Sequence, residues 1–181
     1  GGKDRYSIHK DSVMSRFYEI QPSPENHWRA IILFGRNSAS YKFALAKALF
    51  DLNRQGKTDV TLDELAVPYA RHLCDHLKTH PKQGSREQST FLKHLRSFNA
   101  GQIDQNEMIR QTSRHGFNDV LDAFHNVHGR EVATRFFVDE RKSKNGIQLT
   151  DEFFLLGEQM QFSNLELETE ARWRLVESAW K

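Results

Sequence analysis

From His27 to Arg54 the chain reads HWRAIILFGRNSASYKFALAKALFDLNR, two apolar-periodic segments joined by a short corner, Phe34-Gly35-Arg36-Asn37-Ser38. In the second segment Tyr41, Leu45, Ala48, Leu49 and Leu52 recur at i, i+4, i+7, i+8 and i+11, the spacing of one stripe on an α-helix over about 39–54. The first segment turns Trp28, Ile31, Ile32 and Phe34 toward the same core. It stops at Gly35, which can take the left-handed conformation of a C-terminal cap. Asn37 or Ser38 then caps the longer helix. Its outer side sets Ser40, Lys47 and Arg54 on one line at heptad spacing, with Lys42 displaced from it.

The punctuation of the remaining chain is also helical. Val13, Phe17 and Ile20 predict a short amphipathic helix over about 11–20, ended by Pro22-Ser23-Pro24, where Ser23 can cap the next helix with Pro24 at its first position. Thr61-x-x-Glu64 is a capping box that opens a helix over about 62–79, with Pro68 set to kink or split it near its start and Pro81 closing it. Further helices are expected at about 87–99, with Phe91, Leu92, Leu95 and Phe98 on one face, and at about 105–115, capped by Asp104 with Glu107. Another starts at Asn118, with Val120, Leu121, Phe124 and Val127 turned inward. The pattern changes at 132–138, VATRFFV, whose β-branched and aromatic residues face Ile147-Gln148-Leu149 across a basic loop ending in Asn145-Gly146, a hairpin signal. Thr150 caps a helix at about 151–160. Asn164 caps the last, where Leu167, Ala171, Leu175 and Val176 form the expected stripe and Trp173 and Trp180 add bulk. The fold class expected is mainly α, a multi-helix domain over 11–181 with one small β-hairpin near 131–150. Residues 1–10 read as a tail outside it.

Totals narrow the function only by exclusion. With 38% apolar and 28% charged residues in 181, the chain has the composition of a folded globular domain. The apolar runs, such as Ala30 to Phe34, are too short to span a bilayer, and no leader-like segment is present, so a cytoplasmic location without a membrane partner is expected. A single Cys74 excludes an internal disulfide and reads as a small core residue. A net charge of +2 neither demands nor forbids a nucleic-acid partner.

Candidate chemistry sits at a few places. A helix starting at Asn37-Ser38 beside Arg36, Ser40 and Lys42 presents unpaired N–H groups and positive charge that can hold a phosphate, or it is an ordinary capped corner with solvated cations. Arg135, Arg141, Lys142 and Lys144 concentrate charge on the hairpin, which suits a phosphate backbone and equally serves solubility. Trp28, Phe34, Tyr41 and Phe43 can stack on an unpaired base or pack in the core. His72 and His76, and His125 and His128, have spacings that can hold a metal but lack the other ligands of a known motif, and no metal site is expected in this segment. Arg71 with His76, and Arg110 with His115, resemble the short R-x4-6-H motif of HEPN ribonucleases, which cleave RNA through its 2′-hydroxyl.

Three stretches carry a longer resemblance: Trp28 to Asn37 running into Ser40 to Ala46, Gly116 to His125 (GFNDVLDAFH), and Glu170 to Glu177 (EARWRLVE). They resemble the N-terminal region of bacterial proteins of the HNH endonuclease type, in which a ββα-metal nuclease module follows the final helix. The resemblance implies a non-catalytic, DNA-binding or target-recognising domain in restriction or antiphage defence, with the divalent metal and the general-base histidine in the downstream module. Under it, Arg36, Asn37, Ser38, Ser40 and Lys42 are the expected contacts to DNA phosphates, and Lys47, Arg54, Arg135, Arg141, Lys142 and Lys144 the outer contacts. A HEPN-like ribonuclease and a protein-interaction module are the alternatives. DNA sequence preference and oligomeric state stay open.

Overall fold

Capping side chains set most of the helix starts in the computed structural model, which describes residues 23–35, 40–85, 89–159 and 162–180. The helix expected at 11–20 and the corner residues Arg36, Asn37 and Ser38 lie outside the described residues. Ser23 accepts the Asn26 N–H at 3.1 Å and Pro24 occupies the first turn of α1, Pro24–Phe34. Gly35 ends α1 in an extended conformation (φ −65°, ψ 152°), not the left-handed one expected. Its N–H still closes on the Ile31 carbonyl.

Helix α2, Tyr41–Arg54, is buried on almost every side, because Phe43, Ala44, Ala46 and Phe50 go inward along with the expected stripe. Strand β1, Asp59–Thr61, leads into α3, Leu62–Thr79, through the Thr61–Glu64 capping box, in which both reciprocal hydrogen bonds form. Pro68 does not split α3, which runs unbroken through it although the proline, in the second turn, forgoes the one hydrogen bond its N–H would make to the Glu64 carbonyl. Ser89 and Asp104 cap α4, Thr90–Asn99, and α5, Gln105–His115.

The region after Asn118 departs from expectation. Helix α6 is a single turn, Val120–Ala123, and the chain then reverses through a tight hairpin of β2, Asn126–Val127, and β3, Arg130–Glu131. Its two turn residues, His128 (φ 53°) and Gly129 (φ 78°), both have the positive φ that a two-residue turn of this twist requires. The strand expected at 132–138 shrinks to β4, Phe137–Asp139, because the backbone before it bonds to His125 instead of a strand. The Val132 N–H donates to the His125 carbonyl at 2.9 Å, and the Phe136 N–H to His125 Nε2 at 3.0 Å.

A one-turn helix α7, Arg141–Lys144, fills the basic loop, and Asn145 (φ 52°) turns the chain into β5, Gly146–Leu149. β5 is the centre of a three-stranded antiparallel sheet, β1-β5-β4, with Val60 opposite Ile147 and Phe137 opposite Leu149. Thr150 caps α8, Asp151–Glu158, by accepting the Phe153 N–H.

The last helix, α9, runs Phe162–Ala179, so Asn164 lies inside it and does not cap it. Its buried face is Leu165, Thr169, Trp173 and Glu177. The predicted stripe is displaced, with Leu167 68% and Leu175 61% exposed. The core is centred on Trp28, whose ring meets Phe50, Phe124, Phe136 and Phe153 at centroid distances of 4.9 to 5.7 Å. The molecule is thus a mainly α domain with small antiparallel β elements. Among the described residues no helix is long and apolar enough to cross a membrane.

Candidate functional site

The end of α1, at Phe34 and Gly35, and the start of α2, at Tyr41 and Lys42, form one wall of a cleft of about 570 Å³, and the one-turn helix α6 and the β2–β3 hairpin form the other. Phe34, Tyr41 and His128 give it aromatic sides, Asp119 and Asn126 stand on its rim, and Lys42 lines it from the α2 side. The Phe34 and His128 rings face each other at 6.0 Å and 31°. Tyr41 stays packed beside Phe91, with its hydroxyl 3.0 Å from Ser89 Oγ.

Ser40 and Lys42 were expected on the outer side of α2, and both are buried instead. Ser40 is fully covered. It does not cap α2 with its side chain; its hydroxyl donates to Gln83 Oε1 at 2.5 Å and its N–H to the Gln83 carbonyl at 3.0 Å. Lys42 is only 7% exposed. Its Nζ donates to the Gly35 carbonyl at 3.0 Å and lies 4.9 Å from the Phe43 ring centroid. Burial, and then the nearby charge of Arg172, push its ammonium down to about 7. This places on the cleft wall a lysine whose charge burial disfavours, a property that clusters at functional sites. Gly35 makes room for it: a Cβ there would lie 3.1 Å from Lys42 Nζ.

Arg172, from α9, reaches the same place from behind. One guanidinium nitrogen donates to the Leu33 carbonyl at 3.4 Å, while its Nε is buried with no hydrogen-bond partner. The end of α1 therefore gathers two cations whose donors outnumber the acceptors offered to them. In the sequence Arg172 stands four residues after Glu168, the spacing of an ordinary helix-surface pair, and nothing there marks it out. In the structure Glu168 turns instead to Arg29 of α1, at 2.9 Å.

The other basic candidates are dispersed and mostly engaged within the molecule. Lys47 pairs with Glu170 and lies over the Trp173 ring, and Arg54 pairs with Glu166 and Asp51. Arg135 pairs with Glu131 at 2.9 Å, and Lys144 lies 3.8 Å from Glu140. Arg141 is held by Asp139 at 2.7 Å and Asp122 at 2.6 Å, and those carboxylates raise its guanidinium value further. Lys142 is exposed and makes no ion pair among the described residues. Five of these six side chains are thus engaged by carboxylates of the same chain.

A buried polar hub, absent from the sequence reading, joins α2, α3 and α9. Glu177 accepts from Gln83 Nε2 at 2.7 Å and lies 2.6 Å from His76 Nδ1, while His76 Nε2 faces Glu170 at 3.0 Å. Gln83 Oε1 also accepts from Trp173 Nε1 at 3.0 Å, and the His76 and Trp173 rings stack at 3.4 Å. Burial opposes ionisation of Glu170, but His76 and Lys47 outweigh it and hold the carboxyl well below its usual range.

Both ring nitrogens of His76 are engaged by carboxylates, at 2.6 Å and 3.0 Å, so neither faces the open surface that the HEPN pairing with Arg71 would need. Cys74 is buried, its thiol pushed up to about 12 by burial and then by Asp75, which leaves it inert. His72 is occupied by Asp51 at 2.6 Å. Among the described residues no three His, Cys, Asp or Glu side chains converge to hold a metal. Compared with known proteins, the chain matches no family model, no curated protein and no solved structure.

Proposed function

We propose that this chain is the DNA-binding, target-recognising domain of a bacterial HNH endonuclease, acting in the cytoplasm in restriction or antiphage defence. Metal-dependent cleavage falls to a nuclease module that follows it, and that module supplies the divalent cation. The observation that carries this reading is the aromatic cleft between the start of α2 and the β2–β3 hairpin, with Lys42 on its wall. Aromatic faces with a cation beside them suit nucleic acid, since every base offers a π-face and every nucleotide a phosphate.

The scattered, internally paired cations favour recognition through a cleft over a broad electrostatic footprint, so the salt dependence should be shallow. A gel-shift panel of plain and modified, single- and double-stranded oligonucleotides at two salt concentrations tests the reading. Charge reversal at Arg36 and Lys42 is expected to weaken binding and flatten its salt slope. Variants that bind as the parent does, at an unchanged unfolding midpoint, would sink the assignment.

A further inference from the structure

The buried polar hub between α3 and α9 can be read donor by donor, and Gln83 fixes the starting point. The Trp173 indole nitrogen only donates, so the Gln83 atom it meets at 3.0 Å is the amide oxygen, and the amide nitrogen is the atom turned to Glu177. Glu177 Oε2 accepts that amide at 2.7 Å and lies 2.6 Å from His76 Nδ1. A proton on Oε2 would crowd the oxygen that the amide already holds, so the hydrogen in the second contact belongs to Nδ1.

On the far side of the ring, Nε2 faces Glu170 Oε1 at 3.0 Å and Oε2 at 3.3 Å. Lys47 of α2 and Arg174, the latter at 3.1 Å, pair with the same carboxylate and favour its ionised form, which only accepts. Nε2 must then donate as well. A neutral imidazole has one N–H, and this one is asked for two.

The charges agree with the count. Glu177 is 2% exposed, and among the described residues its ion partners are His76 and His80, with no lysine or arginine. A buried carboxylate without a cation is strongly destabilising, and the ring beside it is the nearest group able to supply one. That ring also lies flat on Trp173, at 3.4 Å and 1°, where the indole face attracts positive charge. His80 reaches Glu177 at 3.3 Å through one ring nitrogen, and His72, one turn back on α3, faces Asp51 of α2 through one, so neither carries the double demand.

We infer that His76 is a proton-operated pin: as an imidazolium it bonds Glu177 and Glu170 at once and holds α9 on α3, and loss of one ring proton as the pH rises breaks one of the two bonds and weakens that hold. In the unfolded chain the second proton leaves at about the ordinary histidine value of 6.5. Above it the folded chain binds more protons than the unfolded one, so stability falls as the pH rises, a loss confined to the range above about 6.5.

Proton-detected NMR of the 15N-histidine-labelled parent at pH 7.5 reads the count directly, with the His76 ring assigned by its contact to Trp173, so no variant is needed. Two ring N–H groups are expected, at a pH where an ordinary imidazole is about ten-fold more often neutral than charged. One N–H there would overturn the inference. In urea unfolding, the folding equilibrium constant of the parent should drop at least ten-fold from pH 6.5 to 8.5, and His76→Gln should remove most of that drop. A variant weakened equally at both pH values would make His76 a structural partner only and overturn the inference. So would a parent indifferent to pH over this range. Hydrogen exchange, corrected for hydroxide catalysis, should show the Val176 and Glu177 amides losing protection over the same range before those in the middle of α4; loss in the reverse order would overturn the hold on α9.

Discussion

His125 shows how one buried side chain can stand in for a strand. Its Nε2 accepts the Phe136 N–H, so the imidazole must be neutral there, with its proton on the other nitrogen. Burial, then the charge of Arg135, hold it at about 3 against an ordinary 6.5. Between those values the unfolded chain binds more protons than the folded one, so stability is complete above pH 6.5 and falls as the pH drops. The slope from this group is up to about 1.4 kcal/mol per pH unit, which makes the fold about 2 kcal/mol weaker at pH 5 than at pH 7.5. His27, also lowered by burial, adds in the same direction. His125→Gln keeps an acceptor without a titrating ring, and urea unfolding at the two pH values should show a flatter dependence for the variant. Equal slopes would contradict this assignment. Nothing in the spacing of His125 and His128 reveals the role, because the partner of the ring is a backbone amide eleven residues on.

Helix α9 separates what was legible in sequence from what was not. Its existence followed from periodicity and helix-forming residues, as did α2, α3 and the capped starts at Ser23, Thr61, Asp104 and Thr150. The face it buries did not. The strongest apolar spacing, Leu167-Ala171-Leu175, points outward, and the covered face combines Leu165 and Trp173 with Thr169 and Glu177. Two polar residues on a buried face defeat a hydrophobicity argument, and both have partners: Thr169 donates to the Leu165 carbonyl and Glu177 accepts from Gln83. The same blind spot hid the cleft, since Lys42, read as lying beside an outer line of polar residues, is buried. Leu165→Ala should therefore cost about 3 kcal/mol by loss of burial and a residual cavity. Leu167→Gln and Leu175→Gln should each stay within about 0.5 kcal/mol. Guanidinium unfolding of the three variants measures this, and a reversed order would place the buried face where the sequence pattern put it.

At the scale of the molecule, a strand of three residues ties the two halves of the chain together. β1 lies between α2 and α3, β5 lies far along the chain, and their pairing sets Thr61 opposite Gly146. The capping box that starts α3 is thereby pinned to the sheet, because the Leu62 N–H at its first turn donates to the Asn145 carbonyl at 2.9 Å. At the other end of the same pairing, the Leu149 N–H donates to the Thr58 carbonyl at 2.8 Å. β1 was invisible in sequence: three residues are too few for an alternating pattern, and Thr61 had already been read as a helix cap. What makes the crossing possible is the missing side chain at Gly146, where a Cβ would lie 2.1 Å from the Val60 carbonyl oxygen and 2.9 Å from Thr61 Cα. Both obstacles are backbone, so no rotamer change relieves them. Gly146→Ala is expected to push β1 off β5 and destabilise the fold by more than about 3 kcal/mol. Native-state hydrogen exchange should show the Leu62 and Leu149 amides losing protection, while amides in the middle of α4, which packs on α3 and α5, lose only the global share. Uniform loss of protection would mean that the sheet and the helical core open together; retained protection at Leu62 would remove β1 from any part in joining the halves.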